Sequence, residues 1–224
     1  MFFKRLRLQR WEQHALRHLA AARYEQAEQY FKLIYDTAPE GRGVRYNMGL
    51  ACFAQGKHDA AEGYFREELK RFGESTHTLK ALSELSYQTG RRNAARKYLT
   101  RLLGYVEGAE YELIERRLAV VEDDERFEKA CRAQQAVWDA ENALRRNDTD
   151  TALAAYRNAA ELDATQFTAR GGLGKILSEY YHDLPEALRW YREAYELAPD
   201  PRYEQQIERI EKALERRKKA DRKS

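Results

Sequence analysis

One short segment of the sequence recurs five times, and its spacing constrains the fold more than any other feature. Each copy places an alanine four residues before an aromatic ring or a leucine. Residues four apart lie on one face of an α-helix, so the small side chain lets a neighbouring helix approach while the larger one fills the adjacent hollow. A step near 34 residues predicts a helix–turn–helix unit. The alanines are Ala27, Ala61, Ala95, Ala152 and Ala187, at steps of 34, 34, 57 and 35 residues.

Each copy has a second small residue twelve or thirteen positions before its alanine, in the segment that would form the first helix of the unit. Close contact between the two helices of a hairpin requires such a residue. Turn signals fall between the two helices at Gly56, Gly90 and Asn147. The small residues are Ala15, Gly49, Ser83, Ala140 and Gly174, and the larger side chains on the second helices are Phe31, Phe65, Leu99, Tyr156 and Tyr191.

Composition supports helices throughout the chain. Its 224 residues include only 12 glycines and 4 prolines among many residues of high helix propensity. Cys52 and Cys131 do not form a CxxC pair, so the sequence predicts neither a disulfide framework nor a cysteine zinc site. No apolar stretch approaches the roughly 18 residues of a membrane span, and the basic start lacks the apolar core of a secretory signal. We therefore expect an all-α, cytoplasmic protein.

The 57-residue step is 23 residues longer than the repeat, which predicts an additional helix and a turn between the third and fourth units. The segment 109–121 fits this bridging helix, with Tyr111, Ile114 and Leu118 on one stripe. A polar last helix would cover the exposed edge of such a stack. The expected order is three units in 1–106, a bridging segment in 107–132, two units in 133–200, and a capping helix with a basic tail in 201–224.

Two stretches carry a family resemblance: NMGLACFAQGKHDAAEGYF at 47–65 and GLGKILSEYYHDLPEALRWYREAYELAP at 172–199. They resemble the tetratricopeptide repeat family, whose members are right-handed α-solenoids that bind other proteins. The resemblance implies a non-catalytic scaffold built from about five helix–turn–helix units. Two units depart from the family pattern, because Asp139 stands where a leucine is usual and His14 and His18 occupy expected core positions.

In this family the first helix of each unit lines a concave groove, and the resemblance implies that side chains there contact the partner. Some members clamp a C-terminal carboxylate with Lys and Asn, but this chain offers Glu12 and Leu16 in its first unit, so the basic clamp is absent. Aromatic rings flanked by polar groups suit capture of a peptide or helix, although some of these rings could simply pack between units. The predicted groove residues are Tyr46, Asn47, Leu50, Phe53, Lys80, Glu84 and Tyr87.

Other features have both a chemical and a structural interpretation. His14 and His18 are four residues apart on a helix but lack a third ligand nearby, which favours packing over a metal site. The two thiols have no identifiable base or oxyanion donor, which favours inert, buried groups. The GGLG run at 171–174 lacks the Lys and Ser/Thr of a phosphate loop, and the acidic run 122–125 is typical of a solvated helix start. We expect no enzyme activity, cofactor or metal.

Charge is distributed unevenly along the chain. Residues 1–10 carry four basic groups and no acid, and residues 216–224 carry six basic groups and one acid, so 11–215 has a net charge of −6 within a total of +3. An RNA-binding helical repeat needs a basic groove, which an acidic body disfavours. The leading hypothesis is an adaptor for a protein or peptide partner. Attachment to a membrane surface through the basic termini and homo-oligomerisation stay open as alternatives.

Overall fold

The computed structural model describes residues 2–21 and 23–221, and within these ranges it contains helices and no β-strand. Residues 1, 22 and 222–224 lie outside the described residues, and they include the last three of the predicted basic tail. The chain divides into two compact units, Met1–Tyr105 and Val106–Ser224. Each unit is a stack of helices, so the all-α solenoid class expected from the sequence is confirmed.

The first unit packs as three successive hairpins. The first helix of each hairpin contacts the second, and each second helix contacts the first helix of the next hairpin. A 3-10 turn at Leu103–Tyr105 ends the unit. The helices are α1 (Phe2–Ala20), α2 (Tyr24–Thr37), α3 (Val44–Ala54), α4 (His58–Phe72), α5 (Thr76–Gln88) and α6 (Arg92–Leu102).

The hairpins close by setting a ring against a residue with little or no side chain. A Cβ placed on Gly49 of α3 would lie closer than 3.0 Å to the Phe65 ring of α4, and Phe65 is fully buried. Ala61, one turn before Phe65, is also fully buried. The alanine-plus-ring pattern therefore marks the helix–helix contact, as predicted.

The turns inside the hairpins use a left-handed residue to end the first helix. Gly56 and Gly90 have φ of 74° and 69°, a conformation that glycine adopts without steric cost. Asn147 adopts it at 59°, so the three predicted turns are confirmed. His182 occupies the equivalent place in the last hairpin at φ 56°, where no glycine or asparagine predicts a turn.

The second unit contains two hairpins, α8 with α9 and α10 with α11, and two additional helices. The segment expected to bridge contains α7, which contacts α8 and α11, and the segment expected to cap contains α12, which packs on α11. Their bridging and capping roles stay predictions. Ile210 of α12 is 1% exposed and joins Ala187 and Tyr191 of α11 in one apolar cluster. The helices are α7 (Gly108–Glu122), α8 (Asp124–Arg145), α9 (Thr149–Leu162), α10 (Phe167–Glu179), α11 (Leu184–Leu197) and α12 (Pro201–Asp221).

Three details differ from the sequence predictions. The fourth hairpin begins with α8 at Asp124, inside the predicted bridging segment 107–132, because no glycine or proline interrupts this 22-residue helix. The 34-residue period predicts a start of the first hairpin near residue 9, but α1 already begins at Phe2. On α7, Ile114 is buried as expected, whereas Tyr111 is exposed and Val121 is buried instead. The buried face of α7 is thus rotated from the predicted stripe, and α7 contacts both α8 and α11.

Candidate functional site

The predicted groove residues lie on α3 and α5, the first helices of the second and third hairpins, and these two helices contact each other. Subtracting one or two periods of 34 residues gives each predicted groove residue an equivalent position on α1. Equivalent positions of stacked repeats fall on the same side of the stack. We call the resulting surface, together with Asn47, the first-helix face. Its three rows are Glu12, Tyr46 and Lys80; Leu16, Leu50 and Glu84; and Leu19, Phe53 and Tyr87.

Tyr46 is the central ring of this face, and its neighbours hold it in place. Its ring centroid lies 5.8 Å from that of Phe65 on α4 and 6.2 Å from that of His77 on α5. The side chain is half-buried, and burial raises the pKa of its hydroxyl, which is therefore protonated at neutral pH. Tyr46 can present an ordered ring edge and a hydrogen-bonding hydroxyl.

The apolar part of the face lies on α1 and α3. Leu50 and Phe53 are half-buried, and the Phe53 ring stands edge-on to His58 at 5.9 Å. Leu16, the α1 equivalent of Leu50, is 46% exposed. Exposed aliphatic side chains beside partly exposed rings are the composition expected of a protein-binding surface.

The part of the face on α5 is more polar and more buried than the part on α1 and α3. Lys80 and Glu84 are half-buried, and Glu84 accepts a hydrogen bond of 2.6 Å from Nε2 of Gln88. Tyr87 is only 3% exposed, so its ring packs inside the unit. The partner-contacting role predicted for these three residues stays a prediction, and for Tyr87 it would require a rearrangement that exposes the ring.

A cavity of about 190 Å³ opens beside Asn47, between α1, α2 and α3. Its lining includes the apolar side chains of Leu8, Phe31 and Val44. Glu12 of α1, Asn47 of α3 and Arg42 between α2 and α3 also line it, so it combines an apolar wall with a carboxylate, an amide and a guanidinium group. This is the combination that fixes one side chain of a bound peptide together with its backbone.

The sequence did not indicate this cavity. Leu8 precedes the start that the 34-residue period predicts for the first hairpin. Phe31 was assigned only to the hairpin core. Among its lining residues, only Leu8 belongs to the part of α1 that precedes the predicted start.

His14 and His18, the residues with metal-ligand spacing, stack on one tyrosine. Their ring centroids lie 5.2 Å and 5.5 Å from that of Tyr30, with interplanar angles of 18° and 15°. Near-parallel stacking at this distance is an apolar packing contact. Among the described residues, no group of three His, Cys, Asp or Glu side chains is arranged to hold a metal ion.

Cys52 lies in a polar cluster but is not activated. It is 1% exposed, and its thiol donates to Oε1 of Glu28 over 3.7 Å. Burial first, and then the Glu28 carboxylate, raise the pKa of this thiol to about 11. Burial and Glu128 also raise the pKa of Cys131. A cysteine nucleophile needs a lowered pKa, so both groups have the properties of structural thiols.

The GGLG run serves packing. A Cβ on Gly172 would lie 2.5 Å from the Tyr156 ring, and one on Gly174 would lie 2.8 Å from the Tyr191 ring. In the acidic run, the Asp123 side chain accepts a 2.8 Å hydrogen bond from the backbone N–H of Arg126 and caps α8. Both segments thus have the structural roles that the sequence favoured.

The sequence model of the tetratricopeptide repeat family matches residues 13–75, which include most of the first two hairpins and the α3 part of the first-helix face. This part of the chain consists of tetratricopeptide repeats. Proteins with this repeat are interaction scaffolds that bind peptides or other proteins, and this general function is the one that the match supports. Comparison with curated protein sequences gave no match.

Several solved structures are similar in arrangement but distant in sequence. A crystal structure of MamA has 13% identity and a TM-score of 0.46, covering 85% of this chain and 91% of MamA. MamA from Desulfovibrio magneticus RS-1 has 15% identity and a TM-score of 0.46, covering 85% and 94%. YrrB, described as a TPR protein with an unusual peptide-binding site, has 16% identity and a TM-score of 0.39, covering 86% and 87%. These similarities are too distant to assign a partner.

Proposed function

We propose that this tetratricopeptide repeat protein is a non-catalytic, cytoplasmic adaptor that binds a peptide, a helix or a subunit of a partner on the first-helix face and assists assembly of a complex. One observation carries the proposal: the partly exposed Leu16, Leu50 and Phe53 share a face with a cavity of about 190 Å³. A small apolar pocket beside an apolar strip suits one anchoring side chain and its flanking residues.

The charges on this face favour a protein partner over RNA. The face carries two carboxylates, Glu12 and Glu84, and one ammonium group, Lys80. A phosphate backbone requires a predominantly basic groove, and carboxylates would repel it. The amide of Asn47, in contrast, can donate to and accept from a peptide backbone at the edge of the cavity. The proposed partner segment is therefore an apolar peptide or helix of low net charge.

The experiment is selection of binding peptides from a random displayed library, with the full chain as bait. The selected peptides are then titrated against Leu50→Glu and Leu16→Glu. Each change places a carboxylate in the apolar strip, and we expect affinity to fall at least about thirtyfold, corresponding to the roughly 2 kcal/mol of a typical interface anchor.

Leu33→Glu is the matched control. Leu33 lies on α2, a second helix, and is 43% exposed, against 46% for Leu16, so the two leucines differ mainly in the face they occupy. Peptide affinity should change less than threefold in the control. Peptides that bind all three variants as tightly as the parent would place the binding site elsewhere and contradict the proposal.

A further inference from the structure

The side of α1 turned away from the hairpin core forms one continuous exposed stripe. Its members are spaced three and four residues apart, so they lie on one helical face, and all are exposed. The opposite side of α1 packs into the apolar cluster of the first hairpin through Ala15 and the partly buried Leu8 and Trp11. We call the exposed face the outer stripe; it consists of Phe3, Leu6, Arg10, Gln13 and Arg17.

The outer stripe combines large apolar side chains with cations and contains no acid. Phe3 is 85% exposed and Leu6 is 47% exposed. Arg7 is also exposed and, at 3.6 residues per turn, borders the stripe. The nearest acid in the sequence is Glu12, which belongs to the first-helix face. A single exposed apolar residue is ordinary, but two on one basic helical face form a surface suited to a partner that is apolar and anionic at once.

We propose that the outer stripe docks on an anionic membrane surface, with α1 lying along the lipid headgroups. In that orientation Phe3 and Leu6 enter the boundary between headgroups and acyl chains, while the guanidinium groups of Arg10 and Arg17 contact lipid phosphates. None of the described helices is long and apolar enough to cross a membrane, so the contact is peripheral. The proposal is independent of partner binding on the first-helix face.

The exposed apolar residues favour a membrane over a nucleic acid as the partner of the outer stripe. Counterion release makes basic side chains bind a nucleic acid more tightly, but an exposed leucine adds little binding free energy against a phosphate backbone. At a membrane interface, both basic and apolar side chains contribute to the binding free energy. The end of α12 gives a useful contrast, because its basic residues at 216–219 are exposed, yet none of the large exposed apolar side chains among the described residues lies on α12.

The test is co-sedimentation of the full chain with vesicles of phosphatidylcholine alone and of phosphatidylcholine with about 30% phosphatidylserine. We expect binding to the anionic vesicles, weak binding to the neutral ones, and a loss of binding as salt rises. The variant Leu6→Ser with Arg10→Glu should bind anionic vesicles at least tenfold more weakly, because each basic group near such a surface contributes about 1 kcal/mol, or roughly fivefold.

The matched control is Leu33→Ser with Lys32→Glu, which makes the same kinds of change at two exposed neighbours on α2. It should stay within about twofold of the parent. Leu50→Glu should also keep vesicle binding, which separates this surface from the partner-binding face. Circular dichroism checks that all variants keep their helical content.

Three results would overturn the proposal: no binding of the parent to anionic vesicles, equal binding by the outer-stripe variant, or equal losses in the outer-stripe and control variants. If the outer-stripe variant instead loses affinity for single-stranded RNA, or changes the oligomeric state in light scattering while the parent ignores vesicles, the stripe binds nucleic acid or a second copy of the chain.

Discussion

Cys52 shows how packing changes the chemistry of a single residue. The thiol is buried beside the Glu28 carboxylate, and its pKa rises from 9.0 to about 11. Only the thiolate reacts rapidly with alkylating agents. At pH 8 a rise of two pKa units lowers the thiolate fraction about a hundredfold. A thiol is an acid, so a raised pKa keeps it protonated over a wider pH range. Its reactivity should therefore appear only at strongly alkaline pH.

We therefore predict that Cys52, studied alone in a Cys131→Ser background, reacts with iodoacetamide at pH 8 at least about a hundredfold more slowly in the native protein than in the unfolded chain. Mass spectrometry of quenched samples gives both rates. Glu28→Gln should speed the native reaction, because it removes the negative charge that helps to raise the pKa. A native rate close to the unfolded one would show that the thiol is accessible and its pKa ordinary.

Within the second helix hairpin, replacing glycine by alanine should change the stability in opposite directions at two positions. On α3, a methyl group on Gly49 would meet the ring of the fully buried Phe65 closer than 3.0 Å. On α4, a Cβ on the exposed Gly63 would meet no atom within 4 Å beyond its chain neighbours and the backbone of its own helix. Alanine favours a helix over glycine by roughly 0.5–1 kcal/mol at either site. Only at Gly49 does overpacking oppose that gain.

We predict that Gly49→Ala lowers the free energy of unfolding by about 1–3 kcal/mol, the typical cost of overpacking a core, whereas Gly63→Ala raises it by up to about 1 kcal/mol. Urea denaturation followed by circular dichroism measures both. If Gly49→Ala is as stabilising as Gly63→Ala, the small residue on the first helix is not needed for closure, and the packing rule inferred from the repeat is wrong.

The elements were largely predictable because their contacts are local. Ala61 and Phe65 lie on one helix face, and the period of 34 residues repeats that face, so the helices and turns of the hairpins follow from spacing. The degree of exposure was not predictable, because it depends on neighbours distant in sequence. Tyr46 and Tyr87 belong to the same face, yet only Tyr87 is fully buried. The cavity beside Asn47 likewise needs side chains from three helices.

At the scale of the whole chain, each compact unit has its own apolar core. In the first unit, Ala27 and Phe31 belong to a cluster formed within residues 2–105. In the second, Ala152 and Tyr156 belong to a separate cluster formed within 106–221. The stability of a helical repeat is approximately a sum of repeat and nearest-neighbour terms, so a defect spreads through adjacent repeats and weakens with distance. We therefore expect a core defect to act mainly on the unit that contains it.

We predict that Ala61→Glu removes hydrogen-exchange protection from α3 and α4 and weakens it through the first unit, while protection in α8 to α11 is kept. Ala61 is 0% exposed, and an unpaired buried charge costs several kcal/mol, comparable to the stability of a small domain. Ala152→Glu, at another fully buried alanine, should give the reverse pattern.

Ala60→Glu is the matched control, because Ala60 is the exposed neighbour of Ala61 on α4 and should tolerate the same side chain without change. Hydrogen exchange read by mass spectrometry, peptide by peptide, distinguishes the outcomes. If Ala61→Glu and Ala152→Glu each remove protection from both units, the chain unfolds as one cooperative body and the two cores do not act separately. If Ala61→Glu resembles Ala60→Glu, the alanine at the centre of the repeat signature is not part of the core.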